Sequence, residues 1–180
     1  MSAILKNKKI LITGASRGLG EVSARALADQ EAILVLMARS EDKLQEINNS
    51  LKHPEKHSVI AADLTNMEVL HQAVDQTVKF LGEVDVVLHI AGGGLGLRGP
   101  LLSSEEFFKL FHINIGAAIE INKIIVPKMI QRKSGNLVHV CSIASSEATG
   151  SVGYNTVKAA LAAYVRTLGR ELAGSGIVAT

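Results

Sequence analysis

Residues 9–20 read Lys-Ile-Leu-Ile-Thr-Gly-Ala-Ser-Arg-Gly-Leu-Gly. A short apolar run meets glycines spaced G-x-x-x-G-x-G, and from Gly18 the pattern becomes helical. A strand that turns through glycines directly into a helix opens a βαβ unit. The glycines permit a tight turn and close approach to a pyrophosphate, and the helix N-terminus offers unpaired N–H groups to that anion. An ordinary glycine turn would look similar alone; its place after the first strand favours a dinucleotide. Gly14, Ser16, Arg17, Gly18, Leu19 and Gly20 are therefore the first part of a candidate cofactor site.

Outward from this turn the two patterns alternate. Strand-like runs are expected at 9–13, 32–38, 58–62, 85–90 and 136–141, with a further strand beginning at 177–179. Helical runs are expected at 18–30, 41–51, 67–81, 104–133 and 153–173, with a kink or restart at Pro127. The run at 32–38, AILVLMA, is apolar on both faces, as in a buried parallel sheet. Uninterrupted β-α alternation implies an α/β fold, a Rossmann-like doubly wound parallel sheet in three layers. One domain over 1–180 is expected, truncated at or before strand six. In such sheets ligands sit beyond the carboxyl ends of the strands.

The end of the second strand bears on the choice of cofactor. A ribose 2′-hydroxyl is commonly held by an acid about 20 residues past the glycine turn. Here Arg39 stands 19 positions after Gly20, beside Ser40, with no acid at the strand end. A guanidinium would hold a 2′-phosphate that a carboxylate would repel, and Arg17 could reach the same group. NADP is favoured over NAD.

The composition excludes several classes. With a net charge of +2 and no basic stripe, nucleic acid is not an expected partner. The seven-residue run at 32–38 is too short to span a bilayer, and the N-terminus lacks the apolar region of a signal peptide, so membrane insertion and export are not expected. A single cysteine, Cys141, cannot form an internal disulfide, which fits the cytoplasm; it reads as a small buried residue rather than a nucleophile. His89, His112 and His139 lie in apolar contexts and read as structural, without metal-ligand spacing, so no metal is expected.

Tyr154 and Lys158, in YNTVK, lie four apart on a helical stretch, hence on one face about one turn, ~6 Å of rise, apart. A lysine charge so close favours the phenolate. With TGASRGLG (13–20), ARSEDKL (38–44), ADL (62–64), VDVVLHIAG (84–92), HINIG around Asn114 and LVHVCSIA around Ser142, the chain resembles the short-chain dehydrogenase/reductase family in its short, single-domain form. The resemblance implies that Tyr154 is a general acid/base, that Lys158 binds the nicotinamide ribose and assists Tyr154, that Ser142 hydrogen-bonds the substrate oxygen, and that Asn114 holds a water linking Lys158 to solvent. It places Asp63 and Leu64 beside the adenine, and His89, Ala91 and Gly92 at the cofactor's edge. It implies an NADP(H)-dependent oxidoreductase acting on a small-molecule carbonyl or alcohol, and a homodimer or homotetramer built on the helices at 104–133 and from 153.

Four features depart from the family pattern. His89-Ile90 replaces Asn-Asn, and isoleucine cannot supply the amide that ties neighbouring strands. Glu31 stands where glycine is common, so a different turn is expected there. Ser142 and Tyr154 are 12 apart, one fewer than usual, with the small residues of 143–153 to absorb the change. The chain stops where the family continues into a substrate-covering loop and a last strand, so these 180 residues read as part of a longer protein. A second functional reading is an NADP(H)-binding regulatory or scaffold protein without catalysis. The set of Asn114, Ser142, Tyr154 and Lys158 argues against it.

Overall fold

A computed structural model describes residues 4–180; the start of the chain, where no signal sequence is expected, lies partly outside them. The strands are β1 (Lys9–Thr13), β2 (Ile33–Ala38), β3 (Ser58–Ala61), β4 (Val86–His89), β5 (Gly135–His139) and β6 (Ile177–Ala179). The helices are α1 (Gly18–Asp29), α2 (Glu41–Ser50), α3 (Met67–Leu81), α4 (Ser104–Phe111), α5 (Ala117–Arg132) and α6 (Val152–Leu172). All strand pairs are parallel, in the order β3-β2-β1-β4-β5-β6. The sheet therefore includes strand six as a three-residue strand paired to β5.

Alternation along β1 sorts the layers. Ile10 and Ile12 pack with Leu34, Leu36, Ala24 and Ala28 of α1, and Leu44 and Ile47 of α2. Leu11 faces the other way, toward Leu70 and Val74 of α3 and Ile121, Ile125 and Met129 of α5. Both faces are buried, so the central strands are apolar throughout.

The long helical stretch is interrupted, but not at Pro127. That proline sits inside α5, while His112–Gly116 forms a π-helical turn between α4 and α5. Such turns widen the helix by one residue and are frequent at functional sites. The stretch 104–132 is long enough and, at a mean hydropathy of 1.2, apolar enough to cross a bilayer; 56% of its most apolar window is buried inside the molecule, which accounts for that composition.

Glu31 does not redirect the chain. It adopts the left-handed geometry of a glycine, with φ +61°, closing α1 through Glu31 N–H to Ala28 O. Its carboxylate reaches Lys6 at 3.5 Å and Lys52 at 3.3 Å, and Lys52 above all holds it below the usual carboxylate range. Around Ile90, which offers no side-chain amide, the Thr13 hydroxyl ties the end of β1 to the backbone after β4, accepting from Ile90 N–H at 3.2 Å and Ala91 N–H at 3.3 Å. Cys141 is exposed rather than buried, because β5 ends at His139 and the chain turns outward. His112 is likewise exposed, on the π turn.

Candidate active site

A cleft of about 1140 Å³ opens beyond the carboxyl ends of β1 to β4. It contains the point where strand order reverses, between β1 and β4, where open α/β sheets bind ligands. Gly14, Ser16, Arg17, Gly18, Leu19, Arg39, Ser40, Asp63, Leu64, Ala91 and Gly92 all line it. At Gly14, with φ +71°, a Cβ would lie 2.8 Å from Ala91 N, so only glycine lets the turn lie against the loop after β4. Gly20 does not reach the cleft; it is buried at the start of α1 against Gly14.

Helix capping separates the elements around the cleft. Asn66, Ser103 and Ser151 cap α3, α4 and α6 with side-chain hydrogen bonds. Arg17 and Ser40, at the starts of α1 and α2, make no such bond. Both uncapped residues line the cleft, so the partial positive ends of two helices are left for an anion. Arg17, Arg39 and Lys43 line the cleft near them and form no ion pair among the described residues. Lys43 is a residue the sequence reading missed. Its place in the first turn of α2, four after Arg39, was the available signal. Asp63 accepts from Thr65 N–H at 2.9 Å and Thr65 Oγ1–H at 2.7 Å; these bonds, and then Arg39, hold its carboxyl below the usual range.

The other residues gather where β5 meets α6. Lys158 is 4% exposed, and its Nζ donates to the Val140 carbonyl at 2.9 Å. Burial lowers its pKa, partly offset by nearby Cys141. Nζ lies 5.8 Å from the centre of the Tyr154 ring, as the four-residue spacing requires. Ser142 follows β5 and accepts from Ala144 N–H at 3.2 Å, capping a short turn at Ile143–Ser145. That turn and Ser151, whose hydroxyl donates to Leu97 O at 2.9 Å, lie between Ser142 and Tyr154.

Asn114 sits in the π turn and is 3% exposed. Its Oδ1 accepts from Gly93 N–H at 2.9 Å, and its Nδ2 donates to Gly93 O and Leu110 O, each at 2.9 Å. Both amide protons are thus spent on the backbone, and the side chain acts as a clamp on the loop after β4. At Gly92 a Cβ would stand 2.8 Å from Asn114 Oδ1 and 3.5 Å from Lys158 Nζ, so this glycine lets the two groups meet under the cleft floor. His89, which the sequence places at the cofactor's edge, turns away. It is 6% exposed, lies outside the cleft lining, and bonds to Asn122 of α5. No group of metal-binding side chains occurs among the described residues.

A family model described as short chain dehydrogenase matches residues 8–180. An uncharacterized oxidoreductase of Staphylococcus epidermidis is 30% identical over 179 residues, covering 99% of this chain and 77% of the relative. The ketoacyl reductase HetN of Nostoc sp. is 34% identical over 176 residues, covering 96% of this chain and 61% of HetN. A cofactor-bound short-chain dehydrogenase/reductase of unknown function from Caenorhabditis elegans superposes with a TM-score of 0.88 at 30% identity, over 97% of this chain and 68% of that one. A metagenomic short-chain oxidoreductase in complex with NADP gives 0.88 at 26% identity, over 96% and 79%. An NAD+-bound xylitol dehydrogenase gives 0.89 at 25%, over 98% and 69%.

Proposed function

The chain belongs to the short-chain dehydrogenase/reductase family, and from that premise we propose that it is an NADP(H)-dependent oxidoreductase interconverting a carbonyl and an alcohol. The observation that carries the cofactor choice is the uncapped start of α2, with Arg39 and Lys43 beside it in sequence and Arg17 in the same cleft, none of them in an ion pair among the described residues. A 2′-phosphate supplies the charge that this corner lacks. The close approach at Gly14 and the open start of α1 fit a pyrophosphate in the same way.

Bound NADPH supplies the hydride. The chain's own residues handle position and proton. Ser142 directs its hydroxyl toward the substrate oxygen, and Tyr154 gives that oxygen its proton during reduction and takes it back during oxidation. The Lys158 ammonium, held by Val140 O, stands 5.8 Å from the centre of the Tyr154 ring, on the face of α6 where the proton is handled. Asn114 acts by fixing Gly93, and with it the loop along the nicotinamide side of the cleft.

Tyr154→Phe tests this reading. Turnover of NADPH with a panel of carbonyls, including a ketoacyl thioester because of the similarity to HetN, falls by about three orders of magnitude or more. NADPH affinity stays within about threefold. Undiminished turnover in the variant would remove Tyr154 from the mechanism. The exposed Phe108 and Phe111 of α4 support homo-oligomerisation through that helix, and the free thiol of Cys141 supports a cytoplasmic setting. Sedimentation of the purified chain checks the first.

A further inference from the structure

Beneath the proposed proton-transfer pair lies a polar cluster that none of the roles above uses. His89 and His139 stand opposite each other in the β4–β5 register. Their rings stack, with centroids 4.5 Å and planes 19° apart. Asn122 joins them from α5: its Oδ1 accepts from His89 Nε2 at 2.9 Å, and its Nδ2 donates to His139 Nε2 at 3.3 Å and to the Tyr164 hydroxyl at 3.1 Å. These partners fix the tautomers. His89 carries its proton on Nε2; His139 carries its proton on Nδ1, donating to Thr180 O at 3.4 Å. His89, Asn122 and His139 are each at least nine-tenths buried. Three apolar side chains would pack this site without the cost of desolvating three polar ones.

What the cluster touches next is the Lys158 anchor. Val140 follows His139. Its N–H donates to His89 O at 2.9 Å, the last rung between the two strands, and its carbonyl accepts from Lys158 Nζ. No other acceptor meets that ammonium among the described residues. A cavity of about 10 Å³, room for one water, separates the histidines from Asn114 and is walled by Val140. The spacing of the β4 and β5 ends therefore helps to set where Val140 O stands, and that carbonyl is the one hydrogen-bond acceptor of Lys158 Nζ among the described residues.

We propose that His89, Asn122 and His139 form a positioning bridge, which locks the ends of β4 and β5 together and, through the Val140 carbonyl, sets the Lys158 ammonium beside Tyr154. The bridge touches neither substrate nor cofactor. It rests on the reading of Tyr154 and Lys158 as a proton-transfer pair.

The test reads Lys158 directly, in the full chain labelled with 13Cε-lysine, the signal being assigned by its loss in Lys158→Met. His139→Phe keeps a ring and its stacking but removes both ring nitrogens. His139→Gln restores an acceptor toward Asn122. In His139→Phe the ammonium loosens toward solvent, so the Lys158 titration midpoint rises by about half a pH unit or more. Turnover falls by about tenfold to a hundredfold while NADPH affinity changes less than about threefold. His139→Gln returns both readings close to the parent. A folded His139→Phe with the parent's Lys158 midpoint overturns the proposal. Should that variant lose its fold, Asn122→Ser, which leaves both rings in place, carries the same expectation and the same refutation. A Tyr154→Phe variant that still turns over refutes the proton-transfer reading and leaves the Lys158 measurement untouched, so the two failures are separable.

Discussion

At the scale of single residues, cofactor choice turns on the corner at α2. Arg39 and Lys43 line the cleft in no ion pair among the described residues, and Ser40 leaves the helix start open. A charged hydrogen bond of this kind is worth ~1.5–3 kcal/mol, or roughly ten- to a hundredfold in affinity. Arg39→Asp is expected to weaken NADPH by about that factor and to spare or improve NADH. Lys43→Ala is expected to cost NADPH less, since a flexible ammonium makes fewer directed bonds than a guanidinium. Titrations of both cofactors at two salt concentrations check this: the parent's NADPH affinity falls with salt and the Arg39 variant's falls less. Equal loss of NADPH and NADH in Arg39→Asp would place the arginine elsewhere than at a 2′-phosphate. Arg39 was legible as a cleft residue because it follows directly on the strand that the apolar run 32–38 announces. His89 was legible as a structural residue from its apolar context, but its separation from the cleft was not, because the lining begins one residue later, at Ile90.

At the scale of elements, the break in the long helix falls at His112–Gly116 and not at Pro127. Proline is the visible helix breaker in a sequence, yet it lacks only one donor, and α5 continues through that loss to Arg132. A π turn has no residue signature of its own, so its position could be found only from what Asn114 must reach. That side chain satisfies both backbone groups of Gly93, which no helix or strand would otherwise pair. Asn114→Ala leaves those two half-buried groups short of a partner and removes one bond to Leu110 O. The expected loss is about 2–4 kcal/mol, or on the order of 5–15 °C in Tm, measured by calorimetry. NADPH binding weakens in the same variant because the cleft floor loosens. A variant that keeps the parent's Tm would mean that water replaces the clamp without cost. The remaining elements were read within a residue or two, because alternation of strand and helix periods is a strong signal in a doubly wound sheet.

At the scale of the whole molecule, three buried imidazoles give the fold a common response to acid. His57 accepts from Leu34 N–H through Nδ1 at 3.2 Å and, through Nε2, donates to Lys52 O at 3.0 Å, so its neutral form alone fits. Burial pushes its pKa down, as it does for His139 and for His89, the last to about 3. The unfolded chain binds protons on these residues from about pH 6.5 downward, while the folded chain does not. Their contribution is therefore fully present above about pH 6.5 and is lost progressively as pH falls toward each folded value. Asp63, Glu31 and Glu120 act in a different window: their lowered values give stability above about pH 4 that disappears below it. Salt separates the two sets further, since the exposed carboxylates are screened and the buried rings are not. Urea midpoints are expected to change little from pH 7.5 to about 6.5 and to fall from there to pH 4.5, with a slope that persists in 0.5 M salt, where the Debye length is only roughly 4–5 Å. His57→Asn keeps an acceptor for Leu34 and removes one titrating ring, so its slope over that range is shallower than the parent's. A parent whose midpoint stays flat from pH 6.5 to 4.5 would show that the rings take up protons without opening the fold, and the neutral-imidazole account of β2, β4 and β5 would fail with it.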